Sequence, residues 1–414
     1  MTSADEVLAG LHDTRGWRED FYRDLHAHPE LSGQESRTAA ACAERLGEWG
    51  FEVHRLGGGV VGVLSNGQGS TVLCRADMDA LPVQELTGLP YASTATATDE
   101  GGATVGISHA CGHDVHVTCL LGAAQLLAGR REQWHGTFVA LFQPAEETAS
   151  GARAMLEDGL APRIPRPDVA FAQHVLGLEA GTIGTTIGPV MSAGDSIRIT
   201  VFGQGSHGSM PHLSVDPVVL AASIVIRLQT IVARETKPGE FAVVTVGSSV
   251  AGTKSNIIAD RAVLLLNVRT YEEDIRRQVL SAIERIVQAE CAAARSPQPP
   301  TFEYYDQYPL TSNDAEVGAR VRNAFERHFA DHVVDLGRVT ASEDFSRIPD
   351  ALGTPYFYWG VGGFAPGTPA PPNHSPYFAP LVQPTLDTGT SALVVAALDY
   401  LADGHDSVAR SEDH

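Results

Sequence analysis

The sequence predicts an α/β protein: a mostly parallel sheet with helices on both faces, interrupted by an inserted α+β unit of ferredoxin-like βαββαβ order. Three observations predict it. Short apolar runs alternate with amphipathic helical segments through the first part of the chain, the pattern of strands and helices layered on a parallel sheet. A middle stretch then changes rhythm to β-α-β-β-α-β. After Pro309 the chain returns to helix, strand and helix, which complete the first sheet. At 414 residues it is too long for one ordinary core, so two domains are expected. The boundaries read as 1–189 plus 308–414 for a discontinuous larger domain and 190–307 for the insertion.

The elements follow in order. Leu8, Leu11, Trp17, Phe21 and Leu25 recur at helical spacing, and Ala39 to Trp49 continues as a second helix ended by Gly50. Phe51–Leu56, Val60–Leu64 and Thr71–Arg75 read as strands, the last delivering Asp77 and Asp79 at its carboxyl end. A helix from about Asp114 to Leu127, a strand Thr137–Phe142, a helix near Ala152–Leu156 and a strand Asp168–Ala172 come next. In the insertion, Ser196–Phe202, Phe241–Val246, Ala262–Val268 and Thr301–Tyr305 read as strands, and Val215–Val232 and Glu272–Ala289 as helices. The return is helix Ala315–His328, strand Pro355–Trp359 and helix Thr388–Tyr400, with a frayed tail from Asp403 to His414. Ligands of open α/β sheets sit outside the carboxyl ends of strands, where this reading places Asp77, Asp79, Glu146, Glu147 and His174.

Composition narrows the function. A 43% hydrophobic, 19% charged chain is an ordinary globular one. Its formal charge of −21 repels polyanions, so nucleic acid and acidic membrane surfaces are not expected partners. Cys42, Cys74, Cys111, Cys119 and Cys291 are odd in number and scattered, which favours a reducing, cytoplasmic setting over a disulfide framework. Met1 to Asp20 lacks the apolar stretch of a secretory signal, and no run approaches the roughly 18 apolar residues of a membrane span.

One constellation carries chemistry. Cys111-Gly112-His113-Asp114 is followed by Gln143-Pro144-Ala145-Glu146-Glu147. A thiol and an imidazole two residues apart, then adjacent carboxylates at the end of an apolar run, supply the ligands of a divalent transition metal and a base for its water. Gly112 lets the loop turn tightly enough for Cys111 and His113 to face one point. Adjacent side chains diverge, so one of Glu146 and Glu147 can hold metal while the other reaches water. Gly57-Gly58-Gly59-Val60-Val61-Gly62 has the spacing of a dinucleotide loop, but it runs into the turn Ser65-Asn66-Gly67 rather than a helix, so no pyrophosphate cradle is expected. No G-x-S-x-G elbow of a serine hydrolase is present.

Further segments extend the pattern. Leu25-His26-Ala27-His28-Pro29-Glu30-Leu31, Arg75-Ala76-Asp77-Met78-Asp79-Ala80-Leu81-Pro82, His109-Ala110-Cys111-Gly112-His113-Asp114, Gln143-Pro144-Ala145-Glu146-Glu147 and Asn373-His374-Ser375-Pro376 resemble, in order, the signatures of the N-acyl-amino-acid amidohydrolase family. That family includes hippurate hydrolases and plant hydrolases of indole-acetyl-amino-acid conjugates, within the aminoacylase and carboxypeptidase group of metallohydrolases. The resemblance implies Cys111, His113, Glu147, His174 and His374 as metal ligands, with Cys111 bridging, and Glu146 as the general base and then acid. His174 falls just past the strand Asp168–Ala172 and His374 in a loop rich in Gly and Pro. Asp79 is expected to hold a ligand histidine from behind, whereas Asp77 and Asp114 read equally well as structural.

In the glycine-rich loop from Gly203 to His212, the resemblance makes His207 a donor to the tetrahedral oxyanion, from the neighbouring subunit in many members. Asn256 and Arg269 match substrate-contacting positions, Arg269 as a bidentate partner of a terminal carboxylate. The implied enzyme is a metal-dependent amidohydrolase that converts N-acetyl, N-benzoyl or aryl-acetyl amino acids to carboxylic acid and free amino acid. It would hold one or two divalent ions, zinc or manganese, with cobalt or nickel able to substitute. The insertion would act as a lid and dimerisation domain of a homodimer or higher oligomer. Ser108, Ala259 and Asn267-Val268 depart from the family pattern without removing a ligand or the base. Cleavage of a dipeptide or a carbamoyl group by the same residues, and a non-catalytic metal-stabilised binding protein, are the alternatives.

Overall fold

An eight-stranded sheet organises the larger of two units in the computed structural model, which describes residues 3–98 and 102–402; the expected frayed tail lies outside them. That unit comprises Met1–Val190, Ser312–Gly337 and Asp344–His414, and the second comprises Met191–Thr311 and Arg338–Glu343.

In the first unit a short helix, Ser3–Leu8, is separated by Gly10 from α1 (Leu11–Ala27), so the expected single helix is broken. Then come α2 (Ser36–Glu48), β1 (Glu52–Leu56), β2 (Gly59–Asn66), β3 (Thr71–Asp77), α3 (His113–Gly129), β4 (Gly136–Gln143), α4 (Gly151–Glu157), β5 (Val169–Glu179) and β6 (Ile183–Thr185). The second unit supplies β7 (Ala193–Phe202), α5 (Pro217–Thr230), β8 (Ala242–Ala251), β9 (Arg261–Thr270), α6 (Glu273–Ala293) and β10 (Thr301–Tyr308). The chain returns to the first with α7 (Ala315–Phe329), β11 (Val333–Asp335), β12 (Tyr356–Phe364) and α8 (Thr385–Leu401).

The sheet order is β1-β2-β4-β3-β5-β12-β6-β11. Its centre, β4-β3-β5-β12, is parallel, while β1, β2 and β6 join antiparallel neighbours. This is the mixed, mostly parallel α/β architecture expected from the sequence. All seven side chains of β3 are buried, two residues further than the Thr71–Arg75 read from the sequence, and no exposed face imposes an alternation. Helix α3 is buried on nearly every side, including every residue from His113 to Ala124. It lies close enough to α1 that a Cβ on Gly122 would meet Arg18 Cδ at 2.6 Å. Arg18 is itself fully buried and pairs with Asp387 of α8 at 2.7 Å, tying three helices together. Breaking such a buried pair on one side costs on the order of 3–5 kcal/mol.

In the second unit the sheet order is β8-β9-β7-β10, antiparallel throughout. Strand β9 alternates buried and half-buried side chains, the period-two signature of a sheet with one covered face. Leu220, Ala221, Ile224 and Leu228 of α5, with Ile275, Val279, Ile283 and Val287 of α6, form that cover. Asp216 caps α5 by accepting from the Val218 N–H at 2.9 Å. With its last turn, Pro217–Glu235 is long and apolar enough to cross a membrane by length and composition alone, yet it holds no unbroken apolar run of roughly 18 residues. Arg227, Gln229 and Arg234 interrupt its apolar run, and the helix lays its Leu220–Ile224–Leu228–Ile231 stripe on the sheet.

Candidate metal centre

Strands β4, β3 and β5 are parallel neighbours, so their carboxyl ends emerge side by side. Asp77 ends β3, and Glu146 and Glu147 follow β4 by three and four residues. His174 lies inside β5 rather than past its end, because pairing with β12 carries the strand on to Glu179. Gly112 caps α3 with φ +88°, a left-handed conformation that suits glycine, and Cys111 and His113 flank it. His374 also has positive φ, +67°; its N–H donates to Ala110 O at 2.7 Å, which docks the last loop onto the Cys111 turn.

The donor atoms of Cys111, His113 and His174 lie within 4.8 Å of one another, as do those of Cys111, Glu147 and His374, and those of His113, Glu146 and Glu147. Cys111, His113 and Glu147 each belong to two of these groups, so the three groups join into one cluster. The five sequence-identified ligand candidates therefore gather at one place with Glu146. Cys111 Sγ is 3.4 Å from His174 Nε2, and Asn373 Nδ2 is 3.5 Å from the same sulfur.

The backs of the candidate ligands are held. His113 Nδ1 faces Asp79 Oδ1 at 3.1 Å, and His174 Nδ1 faces Val175 O at 2.8 Å. A carbonyl only accepts, so His174 Nδ1 carries the proton and its Nε2 lone pair faces the thiol. Asp79 Oδ2 also accepts from Ser32 Oγ at 2.6 Å and from the Glu147 N–H at 2.9 Å. One carboxylate thus contacts both the His113 ring and the loop that carries Glu147. Glu35 also holds the loop, accepting the Ala145 N–H at 2.7 Å; burial, then Asp79, push its pKa up to about 7. Ala145 needs the hold, since its φ is +48°.

The site's electrostatics fit a cation. Among the described residues, His113 Nε2 and Glu147 Oε1 are buried without a hydrogen-bond partner, although Glu147 Oε1 lies 3.3 Å from His374 Nε2 and 3.8 Å from His113 Nε2. Orphaned donor atoms of this kind need an explanation, and an ion between them is one. Contact with Cys111 and then Glu147 pushes the His374 pKa up to about 10. Burial alone would depress His113, but Asp77, Cys111 and Asp79 outweigh it and raise its pKa well above 6.5. Burial raises the Cys111 thiol, with Glu147 adding to it. The His113 and His374 rings are thus surrounded by groups that favour a positive charge, a role a bound dication could take over. Thiolate, imidazole and carboxylate are all donor types that bind divalent transition metals.

Three residues that sequence reasoning did not assign complete the surround: His116, Glu35 and Asn373. His116 was legible by spacing, since it sits three residues beyond His113 and so on the same helix face; Asn373 adjoins His374, and Glu35 carried no signal of its own. Asp114 is structural: with Glu85 it brackets buried His26, at 2.7 and 3.1 Å. The glycines at 57–59 are explained by packing. A Cβ on Gly57 would come within 2.4 Å of the Ala154 backbone, and one on Gly59 within 2.7 Å of Phe142 O, so they admit α4 to the β1–β2 turn.

His207, Asn256 and Arg269 lie in the second unit. His207 Nδ1 accepts the Ser209 N–H at 3.2 Å, which places the ring proton on Nε2 as a donor. The His207 turn is fixed to Asn256, whose O accepts the Gly208 N–H at 2.8 Å, beside a cleft of about 690 Å³ that His207 lines with Thr253, Ile257 and Arg261. Arg269 is engaged by Asn267 at 2.8 Å and by Ser342.

Comparison with known proteins places these features in context. Residues 73–399 match the model of peptidase family M20/M25/M40. The N-acetyl-L-cysteine deacetylase of Bacillus subtilis (strain 168) is 34% identical over 351 residues, 82% of this chain and 79% of that protein. Thermostable carboxypeptidase 2 of Saccharolobus solfataricus is 33% identical over 407 residues, 97% of this chain and 99% of that protein. A solved B. subtilis structure, described as a dinuclear metal-binding peptidase of the M20 family, superposes with a TM-score of 0.76 at 30% identity, covering 94% of this chain and 98% of that one.

Proposed function

Since the chain belongs to peptidase family M20/M25/M40, we propose that this hydrolase is a metal-dependent amidohydrolase of N-acyl amino acids, releasing a carboxylic acid and a free amino acid. The observation that carries the reading is the gathering of Cys111, His113, Glu147, His174 and His374 beside Glu146, with His113 Nε2 and Glu147 Oε1 lacking hydrogen-bond partners. These five would hold one or two ions, zinc or manganese, with Cys111 shared. A divalent cation there supplies a Lewis acid for the amide carbonyl and acidifies water.

The chain's own groups do the rest. Glu146, 5% exposed and beside Glu147, takes a proton from the attacking water and returns it to the departing amine. Asp79 and Glu35 fix the loop that carries it. His207 Nε2–H is the proposed donor to the oxyanion, with Asn256 nearby, and Arg269 the partner of the substrate carboxylate. A second copy of this chain is the proposed partner, with the unit Met191–Thr311 as lid and dimerisation domain; α5 leaves Val218, Val219 and Ile226 exposed there. Five buried cysteines without a disulfide support a cytoplasmic setting.

The test is a panel of N-acetyl, N-benzoyl and N-carbamoyl amino acids and unblocked dipeptides, assayed for release of free amino acid by the metal-loaded protein. Turnover of the N-acyl substrates, abolished by chelation, is expected. The carboxypeptidase likeness favours a second reading, peptide cleavage by the same residues; dipeptides cleaved while N-acyl amino acids are left intact would establish it and overturn the first. Stoichiometric binding of an N-acyl amino acid without turnover would indicate a binding protein instead.

A further inference from the structure

His116 is fully enclosed, 1% exposed, on the inner face of α3. Its donor atoms lie within 4.8 Å of those of Asp77 and His113, so it has the look of a further cation ligand. Its hydrogen bonds argue otherwise. The Val175 N–H donates to His116 Nε2 at 2.8 Å, which requires a lone pair on that nitrogen. The ring proton is then on Nδ1 and donates to Asp77 Oδ1 at 2.6 Å. Both nitrogens are consumed and neither is left for an ion. Asp77 is fixed in turn by Arg75 Nη1, 2.7 Å from its other oxygen.

What His116 grips is informative. Val175 offers its N–H to His116 and its carbonyl to His174 Nδ1, at 2.8 Å. The His116 ring also packs edge-on to the His174 ring, with centroids 4.5 Å apart at 69°. The path Arg75–Asp77–His116–Val175–His174 ends at the Nε2 lone pair facing Cys111.

We propose that His116 is a positioning residue that sets the His174 imidazole for the cation by clamping Val175. The inference rests on the reading of His174 as a metal ligand. Two variants isolate it: His116→Phe keeps a flat, somewhat larger aromatic ring and removes both hydrogen bonds, whereas the amide of His116→Gln offers both a donor and an acceptor group. The measurement is cobalt(II) titration of the full chain, followed by visible absorption and calorimetry, with circular dichroism to confirm folding. Wild-type protein should bind with a thiolate-to-cobalt band. His116→Phe should lose about 10–100-fold in affinity at one site, and His116→Gln should recover most of it.

A His116→Phe protein that binds cobalt like the wild type overturns the inference and leaves the proposed function standing. A wild-type protein that binds no cobalt overturns both. If the Phe variant does not fold, histidine nitrogen chemical shifts of the wild-type protein decide. A His116 protonated at Nδ1 alone, before and after zinc is added, supports the clamp; a doubly protonated ring, or an Nε2 shifted by zinc, refutes it.

Discussion

Replacing Gly112 by alanine tests whether the turn between Cys111 and His113 is what aligns them. Gly112 has φ +88°, where a Cβ costs on the order of 1–2 kcal/mol. That Cβ would lie 3.3 Å from Val175 Cβ and Cγ1 and 3.4 Å from Phe378 Cε1. Val175 and Phe378 are 0% and 2% exposed, so neither has room to withdraw, and overpacking of this kind adds roughly 1 kcal/mol or more. The expected loss is therefore about 2–3 kcal/mol in denaturant unfolding with chelator present, a factor of roughly 30–150 in the folding equilibrium at about 1.4 kcal/mol per decade. If the chain relieves the contact by turning the loop, Cys111 and His113 separate and cobalt affinity falls as well. Gly129→Ala, in the last turn of the same helix, is the control. Nothing lies within 4 Å of a Cβ there, so it should be neutral or up to about 1 kcal/mol stabilising. A Gly112→Ala protein within about 0.5 kcal/mol of wild type, with unchanged cobalt binding, would refute the reasoning.

Three further outcomes are expected. Glu146→Gln should lower kcat by about 10²–10⁴-fold while metal content by elemental analysis stays that of the wild type; loss of metal along with activity would assign Glu146 to holding the ion. Chelation should lower the thermal midpoint and zinc or manganese should restore it, the bound form gaining about 2.7 kcal/mol at a hundredfold excess over Kd; a midpoint indifferent to metal would count against a resident ion. Burial alone would lower the His26 pKa, but its bonds to Asp114 and Glu85 raise it to about 10. That contribution to stability is complete below the ordinary value of about 6.5 and is lost as pH rises towards 10. Unfolding free energy should therefore decline across that window and decline less in His26→Gln; parallel curves for the two proteins would refute the assignment.

Much of the fold is legible locally. The continuous apolar runs of β3 and β4 mark strands buried on both faces, and the alternation in β9 marks one covered face. Strand β6 and its edge neighbour β11 are only three residues each, too short for a periodic signal, and exist because they pair with one another and β6 with β12. The end of β5 is hidden for the same reason, since continuation past Ala172 depends on a partner nearly two hundred residues away in sequence, β12.

The sequence by itself determined which side chains are present for the chemistry: a Cys-Gly-His turn, an acidic pair after an apolar strand, and two later histidines. Residue type sets ligand and base character, and local backbone preference at Gly112 sets the turn, so neither waits on the rest of the chain. Only the tertiary structure decided that these groups share one place, that Asp79 and Glu35 brace the Glu146 loop, and that His116 is a clamp rather than a ligand. Those outcomes rest on strand register and helix packing between distant segments, and on which hydrogen bonds a buried ring finds once it is there. A one-dimensional pattern records the donors available to the site but not their distances.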